Sequence, residues 1–449
     1  MLEAARNGYP LDGILVRDRP KEHGRRRQLE GSLPSPGSAV AVVDDLENSG
    51  ATADWVIETL SKYGLRPVVV VTLVTFDSIA RDHGAHKNVP RRSVFHLSEL
   101  GIAESGEEAG TVQERWRLGG VNVRDDVPFS RPAYDGDLVV FGSNQGQLHA
   151  VDLFGALRWR APLGDPDAPS PTHCTPLFTP YGVVIGSDDG VLRCFDRVTG
   201  HLRWSTRCAD RIGSGLADDG VGNIVVPATH LPRAGLLLRV RARDGAVSWR
   251  RSLSGYAHAR PAAAITALLA ADNSGTVTAF PTAGGQQPLW HRAFDAPVKA
   301  DLVVDDTDTC YCADFGGVLT ALDVANGAIR WQRRLGRCLY TTPLASNEYV
   351  HVAGDGHLFA VERGSGRLAW VAPIGRRARG ASSRLADGTI VVGCSDGSVR
   401  FVSSTGRPVG LFRTGGPVTS GATAVTGDCA LVSSADGHLY ALSPPPHQS

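Results

Sequence analysis

The sequence predicts a multidomain chain in which a partial α/β segment with a parallel sheet precedes an all-β propeller of eight blades. Two observations predict this architecture. Tryptophan recurs about every 40 residues over most of the chain, and residues 38–74 run through an apolar strand, a helix and a second apolar strand. We place the α/β domain at residues 1–100, a linker at 101–110, the propeller at 111–443 and a short tail at 444–449.

Length and charge limit the classes of protein to which this chain can belong. With 449 residues it is too long for one ordinary domain, and its 46 basic and 46 acidic residues give a formal charge of zero. This balance argues against a general nucleic-acid binder. The first ten residues lack the apolar core of a signal peptide, and no apolar run reaches the roughly 18 residues of a membrane span. We therefore expect a cytoplasmic protein without membrane contact.

The cysteines suggest a reduced protein without a zinc site. The chain has eight cysteines, which are scattered singly except for Cys310 and Cys312. The sequence has no CxxC pair with matched histidine or cysteine partners, which argues against structural zinc. Strand alternation puts Cys310 and Cys312 on one face of a strand, where we expect reduced thiols packed in a core.

A repeat fills the last three quarters of the chain. Its unit reads as a strand, an Asp-Gly type turn, a second strand, a Gly-containing turn and a strand that ends near a tryptophan, as in "VVIGSDDGVLRCFDRVTGHLRW". A further apolar segment precedes each unit. Every period therefore supplies four short antiparallel strands, which is typical of a β-propeller blade. The tryptophans lie at positions 116, 159, 204, 249, 290, 331 and 370.

The central hairpins of these units predict eight blades. The last unit ends in prolines and lacks a fourth strand, whereas an unmatched strand, "TVQERWRL" at 111–118, precedes the first unit. We expect this N-terminal strand to pair with the last blade, because ring closure leaves no open sheet edge. The hairpins lie at 138–155, 183–200, 224–245, 268–285, 310–327, 349–366, 390–406 and 430–442.

The repeated unit resembles the "DGxLxAxDxxTGxxxW" repeat of the pyrroloquinoline-quinone-like propeller family over residues 111–443. Dehydrogenases of that family carry an adjacent cysteine pair and a calcium site. This chain has no adjacent cysteines, so we do not expect it to bind pyrroloquinoline quinone (PQQ). The tryptophans have a sufficient structural explanation, since large flat side chains wedge neighbouring blades together.

A basic residue recurs where the chain reaches the innermost strand of successive blades. These crossovers fall on one face near the central channel, so that five side chains can form a positive ring able to hold an anion or an acidic protein partner. Ordinary solvated arginines in an arginine-rich chain are the alternative interpretation. The five residues are Arg211, Arg260, Lys299, Arg337 and Arg379.

The N-terminal region predicts a βαβ unit of a parallel sheet. Residues 38–43 and 66–74 are continuous apolar strands, and an amphipathic helix over 51–64 lies between them. Asp44 and Asp45 follow the first strand, at the edge where parallel sheets bind ligands. The small polar loop after them offers backbone N–H groups to a phosphate, while the two carboxylates can accept the hydroxyl protons of a sugar. The pattern fits a ribose phosphate.

This segment resembles the phosphoribosyltransferase family. Residues 42–52, "VVDDLENSGAT", match its "VVDDxxxTGGT" motif. Residues 16–31, "VRDRPKEHGRRRQLEG", match the "VRKxxKxHGxxxxxEG" loop of orotate phosphoribosyltransferases, with Asp18 in place of a lysine. Residues 93–100, "SVFHLSEL", resemble that family's closing segment. The resemblance implies a Rossmann-like parallel sheet and transfer of ribose 5-phosphate from phosphoribosyl pyrophosphate (PRPP) to a nitrogenous base.

The resemblance also implies roles for individual residues. Lys21 and Arg17 would bind the pyrophosphate, bridged by Mg²⁺, and His23 would assist from the same loop. Asp44 and Asp45 would hold the ribose hydroxyls and stabilise the positive charge that develops on the ribose. In the family this loop reaches into the neighbouring subunit's site, which implies a homodimer. The 5-phosphate would be bound by Glu47, Asn48, Ser49, Gly50, Ala51 and Thr52.

Other interpretations stay open at this point. Paired aspartates at a strand end also suit a Mg²⁺ site of another α/β enzyme, and Lys21 and His23 taken alone are ordinary surface residues. The sequence shows only the second half of a phosphoribosyltransferase domain, so we expect that domain to be N-terminally incomplete. Two functions remain as hypotheses. One is a phosphoribosyltransferase whose propeller recruits a substrate or partner, and the other is a non-catalytic sensor with the propeller as binding scaffold.

Overall fold

The computed structural model divides the chain into two compact units, Met1–Gly106 and Glu107–Ser449. Each unit has an apolar core of its own. The helix that the structure describes is too short and too polar to cross a membrane. The described residues are 14–16, 29–30, 34–47, 51–75, 89–96, 110–119, 131–165, 167–232, 234–285, 287–375 and 377–445.

The first unit contains the predicted parallel sheet. Three strands lie in the order β3-β4-β5, all parallel, and one helix crosses from β3 to β4. The helix buries Ile57 and Leu60 against Val42 and Val70 of the sheet, which accounts for its amphipathic pattern. The elements are β1 (Leu15–Val16), β2 (Leu29–Glu30), β3 (Ala39–Glu47), α1 (Ala51–Lys62), β4 (Arg66–Thr75) and β5 (Arg91–His96).

β3 is longer than the sequence predicts. It continues beyond the predicted end at residue 43 as far as Glu47, because its backbone stays in register with β4: Asp44 pairs with Thr72 and Glu47 with Thr75. β4 stays largely apolar to its own end, so it offers β3 a hydrogen-bonding partner after β3 has become polar. The two aspartates therefore lie in the second half of the strand and not in the loop after it.

The second unit is a ring of eight blades, as the repeat predicts. Each blade is a four-stranded antiparallel sheet, and its two central strands are those of a predicted hairpin. Ahead of the ring lie β6 (Gly110–Thr111) and β7 (Gln113–Gly119). Blade 1 contains β8 (Ala133–Asp135), β9 (Leu138–Gly142), β10 (Gln147–Asp152) and β11 (Leu157–Pro162). A small hairpin of β12 (Gly164–Asp165) and β13 (Ala168–Pro169) follows. Blade 2 contains β14 (Leu177–Thr179), β15 (Gly182–Gly186), β16 (Val191–Phe195) and β17 (Leu202–Arg207).

The remaining blades follow in chain order. Blades 3 and 4 contain β18 (Ala217–Asp218), β19 (Asn223–His230), β20 (Ala234–Arg241), β21 (Val247–Leu253), β22 (Ala262–Ala263), β23 (Ala267–Ala271), β24 (Thr276–Pro281) and β25 (Trp290–Ala293). Blades 5 and 6 contain β26 (Val303–Val304), β27 (Thr309–Ala313), β28 (Val318–Asp323), β29 (Ile329–Arg334), β30 (Leu344–Ala345), β31 (Tyr349–Gly354), β32 (His357–Glu362) and β33 (Leu368–Pro373). Blades 7 and 8 contain β34 (Ser383–Arg384), β35 (Ile390–Gly393), β36 (Ser398–Val402), β37 (Pro408–Arg413), β38 (Thr423–Thr426), β39 (Cys429–Ser434) and β40 (His438–Ser443).

The strand ahead of the first blade closes the ring. β7 pairs antiparallel with β40 and becomes the outermost strand of blade 8, with Trp116 opposite Ala441. The closure predicted for residues 111–118 is therefore confirmed. β6 lies parallel to β37 and extends blade 7 to five strands. The sequence did not predict this addition, because a strand of two residues carries no alternation pattern.

Tryptophan and glycine interlock successive blades. At six blade junctions the indole ring packs so closely on a glycine of the next blade that a Cβ there would come within 2.5–2.9 Å of a ring carbon or a neighbouring oxygen. Each of these indole N–H groups donates to a backbone carbonyl of that blade at 2.6–3.1 Å. The predicted wedge role is confirmed for these six tryptophans. The pairs are Trp116–Gly155, Trp159–Gly200, Trp204–Gly245, Trp290–Gly327, Trp331–Gly366 and Trp370–Gly406.

Cys310 and Cys312 are core residues, as predicted. Both are buried on one face of β27 in the cluster that contains Leu269, whereas Tyr311 between them faces a different cluster. Burial raises the pKa of the Cys310 thiol to about 12, which keeps it protonated and unreactive. All eight cysteines are free thiols.

Candidate functional site

Asp44 lies near the carboxyl end of the parallel sheet of the first unit. It is half-buried in β3, opposite the buried Thr72 of β4. α1 begins at Ala51, four residues after the last residue of β3. The carboxyl end of a parallel strand and the N-terminus of the helix that follows it meet at one edge of the sheet. This edge can therefore present a carboxylate and helix amides to the same ligand.

A partly buried ion pair fixes the first turn of α1 over the sheet. The Nη2 atom of Arg91, the first residue of β5, donates to Oδ1 of Asp54 at 2.5 Å, and both side chains are largely shielded from solvent. Burial lowers the pKa of Arg91 from its ordinary value. This pair could not be predicted from the sequence, because its partners are 37 residues apart and belong to different predicted segments.

Much of the predicted phosphoribosyl site lies outside the described residues. Arg17, Lys21, His23, Asn48, Ser49 and Gly50 all belong to this group. For Asp45, Glu47, Ala51 and Thr52 the structure describes the backbone, at the end of β3 and the start of α1. β1 and β2 pair antiparallel, with Leu15 opposite Glu30, and so bracket the segment that carries the predicted Lys21 and His23.

The second unit holds a cavity of about 580 Å³ on the propeller axis, which we call the channel cavity. Its wall is formed mainly by crossover segments, which we define as the stretches that lead into the innermost strand of each blade. All eight blades contribute. One lining residue from each blade in turn is Arg131, Thr175, Arg211, His258, Lys299, Tyr340, Arg379 and Gly421.

Backbone hydrogen bonds hold the crossover segments in place. In five blades the turn between the second and third strands donates an N–H group to a carbonyl of the crossover segment at 2.8–3.0 Å. The wall of the channel cavity is therefore anchored to the rigid sheets around it. The donor and acceptor pairs are Asp188–Pro171, Asn273–Tyr256, Phe315–Pro297, Ser395–Arg377 and Ala435–Pro417.

Two cationic side chains that line the channel cavity contact neighbouring side chains. Nε of Arg211 donates to Oδ1 of Asp188 at 2.9 Å, and Nδ1 of His173 lies 3.3 Å from the same oxygen. Burial alone would raise the pKa of Asp188, but His173 and Arg211 lower it below its ordinary value. Nζ of Lys299 lies 4.6 Å from the ring centroid of Phe315, a cation–π contact.

Two further arginines add positive charge to the cavity wall. Arg131 is so deeply placed that burial lowers its pKa, which the neighbouring Arg260 lowers further and Asp301 partly restores. The buried Nε of Arg379 has no hydrogen-bond partner among the residues that the structure describes. Among the described lining residues, Asp301 is the only carboxylate.

The structure brings together part of the predicted basic ring. Arg211, Lys299 and Arg379 line the channel cavity. Arg260 lies beside it, with its backbone N–H donating to Oδ1 of Asp301 at 2.9 Å, whereas the exposed Arg337 is not among the lining residues. Arg131 was not among the predicted residues, although it precedes the innermost strand of blade 1 just as they precede theirs.

Comparison with known proteins identifies the propeller. A family model described as "Outer membrane protein assembly factor BamB" matches residues 170–293 and 273–410, which together cover more than half of the chain. The chain belongs to the BamB family. The BamB protein of Yersinia pestis is 24% identical over 348 residues, a match that covers 72% of this chain and 86% of that protein.

Solved structures agree with the BamB-family fold. The crystal structure of BamB from Moraxella catarrhalis superposes with a TM-score of 0.61 at 19% identity, covering 74% of this chain and all of that one. The quinohemoprotein alcohol dehydrogenase from Comamonas testosteroni gives 0.60 at 11% identity and covers 78% of this chain and 79% of its own. At these identities the likeness shows the propeller fold alone.

The segment ahead of the BamB-family propeller is similar to orotate phosphoribosyltransferases. The enzyme of Aquifex aeolicus is 36% identical over 91 residues, which are 20% of this chain and 49% of that enzyme. The enzyme of Bradyrhizobium diazoefficiens is 33% identical over 97 residues and 51% of its length. The chain thus spans about half the length of these curated relatives. The predicted fusion of an orotate-phosphoribosyltransferase-like segment to a PQQ-like propeller is confirmed.

Proposed function

We propose that this chain binds PRPP through its first unit and transfers ribose 5-phosphate to a nitrogenous base. One observation supports the proposal: Asp44 lies near the carboxyl end of β3 in a parallel β3-α1-β4 unit, ahead of a BamB-family propeller, in a chain that is 36% identical over 91 residues to an orotate phosphoribosyltransferase. Mg²⁺ belongs to the substrate in this proposal, since it would enter the site bound to the pyrophosphate. The described residues contain no cluster of three His, Cys, Asp or Glu side chains that would hold a metal by itself.

In the proposed reaction the bond between ribose C1 and the pyrophosphate oxygen breaks, and a bond from C1 to a base nitrogen forms. The ribose becomes electron-poor as pyrophosphate leaves, so the enzyme must stabilise positive charge on the sugar and negative charge on the leaving group. Asp44 and Asp45 hold the ribose hydroxyls and stabilise the positive charge on the sugar. Lys21 and Arg17 bind the pyrophosphate, and His23 assists from the same loop. The start of α1 and the residues ahead of it bind the 5-phosphate.

The propeller supplies a recruiting surface in this proposal. It belongs to the BamB family and makes up most of the chain, and its central cavity is lined by cationic and aromatic side chains. Such a module fits the recruitment of a substrate or of a protein partner. We also propose a homodimer formed through the first unit and a cytoplasmic location. Both proposals rest on the sequence.

Turnover is tested by pyrophosphate release from PRPP and Mg²⁺ with a panel of bases that includes orotate. The double variant Asp44→Asn/Asp45→Asn should lose at least about 100-fold in rate, because it removes the charges that stabilise the electron-poor ribose. Glu58→Gln is the matched control, since Glu58 is exposed on α1 and pairs with Lys62. A rate that is unchanged in the double variant would contradict the proposed roles of the aspartates.

A second candidate function is PRPP sensing without turnover. The observation that favours it is the propeller, which belongs to the BamB family and makes up most of the chain. In this case the propeller acts as the interaction scaffold, and PRPP binding changes its association with a partner. Saturable PRPP binding without pyrophosphate release from any base of the panel would favour this function over transfer.

A further inference from the structure

We propose that the channel cavity binds a nucleoside monophosphate, with the cationic side chains on the phosphate and the aromatic rings against the base. The choice of a nucleotide rests on the proposed function, because transfer of ribose 5-phosphate to a base yields a nucleoside monophosphate. The cationic and aromatic character of the cavity is independent of that function. The proposal makes the propeller a binding site for the product of the reaction assigned to the first unit.

The size and rigidity of the cavity suit a small ligand. Its volume of about 580 Å³ falls within the range of roughly 300–1,000 Å³ that small-molecule sites occupy. All eight blades build its wall, and backbone hydrogen bonds anchor the crossover segments of five of them to the adjoining turns. A ligand would therefore meet a largely preformed site, which lowers the cost of ordering it on binding.

The charge of the cavity wall favours a phosphate. Four cationic side chains line it, and Asp188 neutralises one of them, Arg211. The other three are Arg131, Lys299 and Arg379, and Asp301 is the only carboxylate among the described lining residues. Partly buried cations in excess of carboxylates create a strong positive potential, because the walls of a cavity screen charge less than water does. A phosphate dianion would offset that excess.

Aromatic rings stand next to these cations. Phe315 and Tyr340 both line the cavity, with ring centroids 4.6 Å apart and planes inclined by 58°. Tyr256 lines it from another blade, with its ring centroid 6.2 Å from that of His258. Any nucleobase can stack on such rings, because every base has a flat aromatic face. A simple inorganic anion has no such face and would not stack on them. The combination of cations and rings therefore favours a phosphate ester that carries a planar base.

His258 reports the positive potential of the cavity. Burial lowers its pKa below the ordinary value, and the nearby charges of Lys299 and Arg211 lower it further. A phosphate bound among these cations would oppose their effect. The pKa of His258 should therefore rise when the ligand binds, and titration of its imidazole by NMR gives a readout that does not depend on catalysis.

The test is calorimetric titration of the full-length protein with uridine 5′-monophosphate. The background is Asp44→Asn/Asp45→Asn, which should weaken nucleotide binding at the first unit. In this background Lys299→Met/Arg379→Gln should weaken binding by at least about tenfold. Arg243→Gln/Arg407→Gln is the matched control, because it removes two exposed arginines outside the cavity. Asp301→Asn, which removes the opposing carboxylate, should tighten binding by about threefold.

Several outcomes would overturn the proposal. These are absence of binding in the background protein, equal binding by Lys299→Met/Arg379→Gln, and a His258 pKa that does not rise with ligand. Binding of uridine or of inorganic phosphate as tight as that of the nucleotide would also overturn it. If Lys299→Met/Arg379→Gln does not fold, the Asp301→Asn result decides. Failure of the proposed function gives a different pattern: PRPP does not bind the wild type, while the nucleotide still binds the cavity.

Discussion

At the scale of single residues, His351 is held neutral inside the propeller. Its side chain lies in β31 with 3% of its surface exposed, and its ring centroid is 5.4 Å from that of Trp370. Burial lowers its pKa to about 4. In the unfolded chain the same imidazole has its ordinary pKa near 6.5. The unfolded state therefore binds a proton at a higher pH than the folded state does, and acid selectively stabilises the unfolded chain.

His351→Phe should flatten the acid side of the stability profile. For the wild type, this residue lowers the free energy of unfolding progressively as the pH falls from about 6.5 to about 4, by up to about 3 kcal/mol. Phenylalanine cannot take up the proton and can keep the ring contact with Trp370. Urea denaturation between pH 8 and pH 4.5 measures the slope, and the comparison at pH 8, where the imidazole is neutral in both states, isolates the cost of repacking. Equal slopes in the two proteins would contradict the assignment.

At the scale of elements, the junction between blades explains the repeat. The tryptophan of an outermost strand fills the space that a glycine leaves in the turn of the next blade. Gly200, for example, has a φ of 70°, and a Cβ on it would lie 2.6 Å from a ring carbon of Trp159. Glycine is thus needed for two separate reasons, a left-handed backbone and close contact with the indole.

Gly200→Ala should destabilise the propeller by about 2–4 kcal/mol, since it adds overpacking to backbone strain. Gly220→Ala is the matched control. Gly220 has a similar φ of 75°, but nothing lies within 4 Å of the position of an added Cβ, so that it should cost only about 1 kcal/mol. The difference between the two variants in urea denaturation, followed by tryptophan fluorescence, measures the interlock. Similar losses in both would show that the indole contact contributes little.

The sequence predicted those elements that repeat, because eight copies of one pattern reinforce each other. It did not predict departures from the pattern. Trp249 is one such departure: it packs on Phe280, with ring centroids 6.2 Å apart, and its buried Nε1 has no hydrogen-bond partner among the described residues. The following turn, "PTAGGQQPLW", differs from the other turns of the repeat. The extension of β3 to Glu47 was likewise missed, because backbone pairing with β4 outweighs the polar character of its side chains.

The candidate sites show the same limit. Asp44 could be placed from its motif, since it follows an apolar strand and precedes a helix. The channel cavity could be predicted only in part, because its lining residues come from eight blades and lie up to 290 residues apart, as Arg131 and Gly421 do. Position in the repeat indicated three of its cations. The aromatic rings of Phe315 and Tyr340 carried no signal in the sequence, since one lies in a turn and the other in a crossover segment.

At the scale of the whole molecule, a closed propeller follows a parallel α/β sheet in one chain. β7 completes the four strands of blade 8 and so joins the two ends of the ring. The first unit buries its own cluster of Val42, Ile57, Leu60 and Val70. Each unit has the core that an independently folded domain needs. The chain therefore joins two separately folded units, and in the proposed function the first binds PRPP while the second recruits a partner or binds a nucleotide.

Calorimetric titration of the full-length protein with PRPP and Mg²⁺ tests whether the first unit binds PRPP. We expect saturable binding to the wild type and to Glu58→Gln, and binding that is at least about tenfold weaker in Asp44→Asn/Asp45→Asn. Nucleotide binding in the channel cavity should persist in that double variant. Absence of PRPP binding in the wild type, or equal affinity in the double variant, would contradict a PRPP site at Asp44 and Asp45.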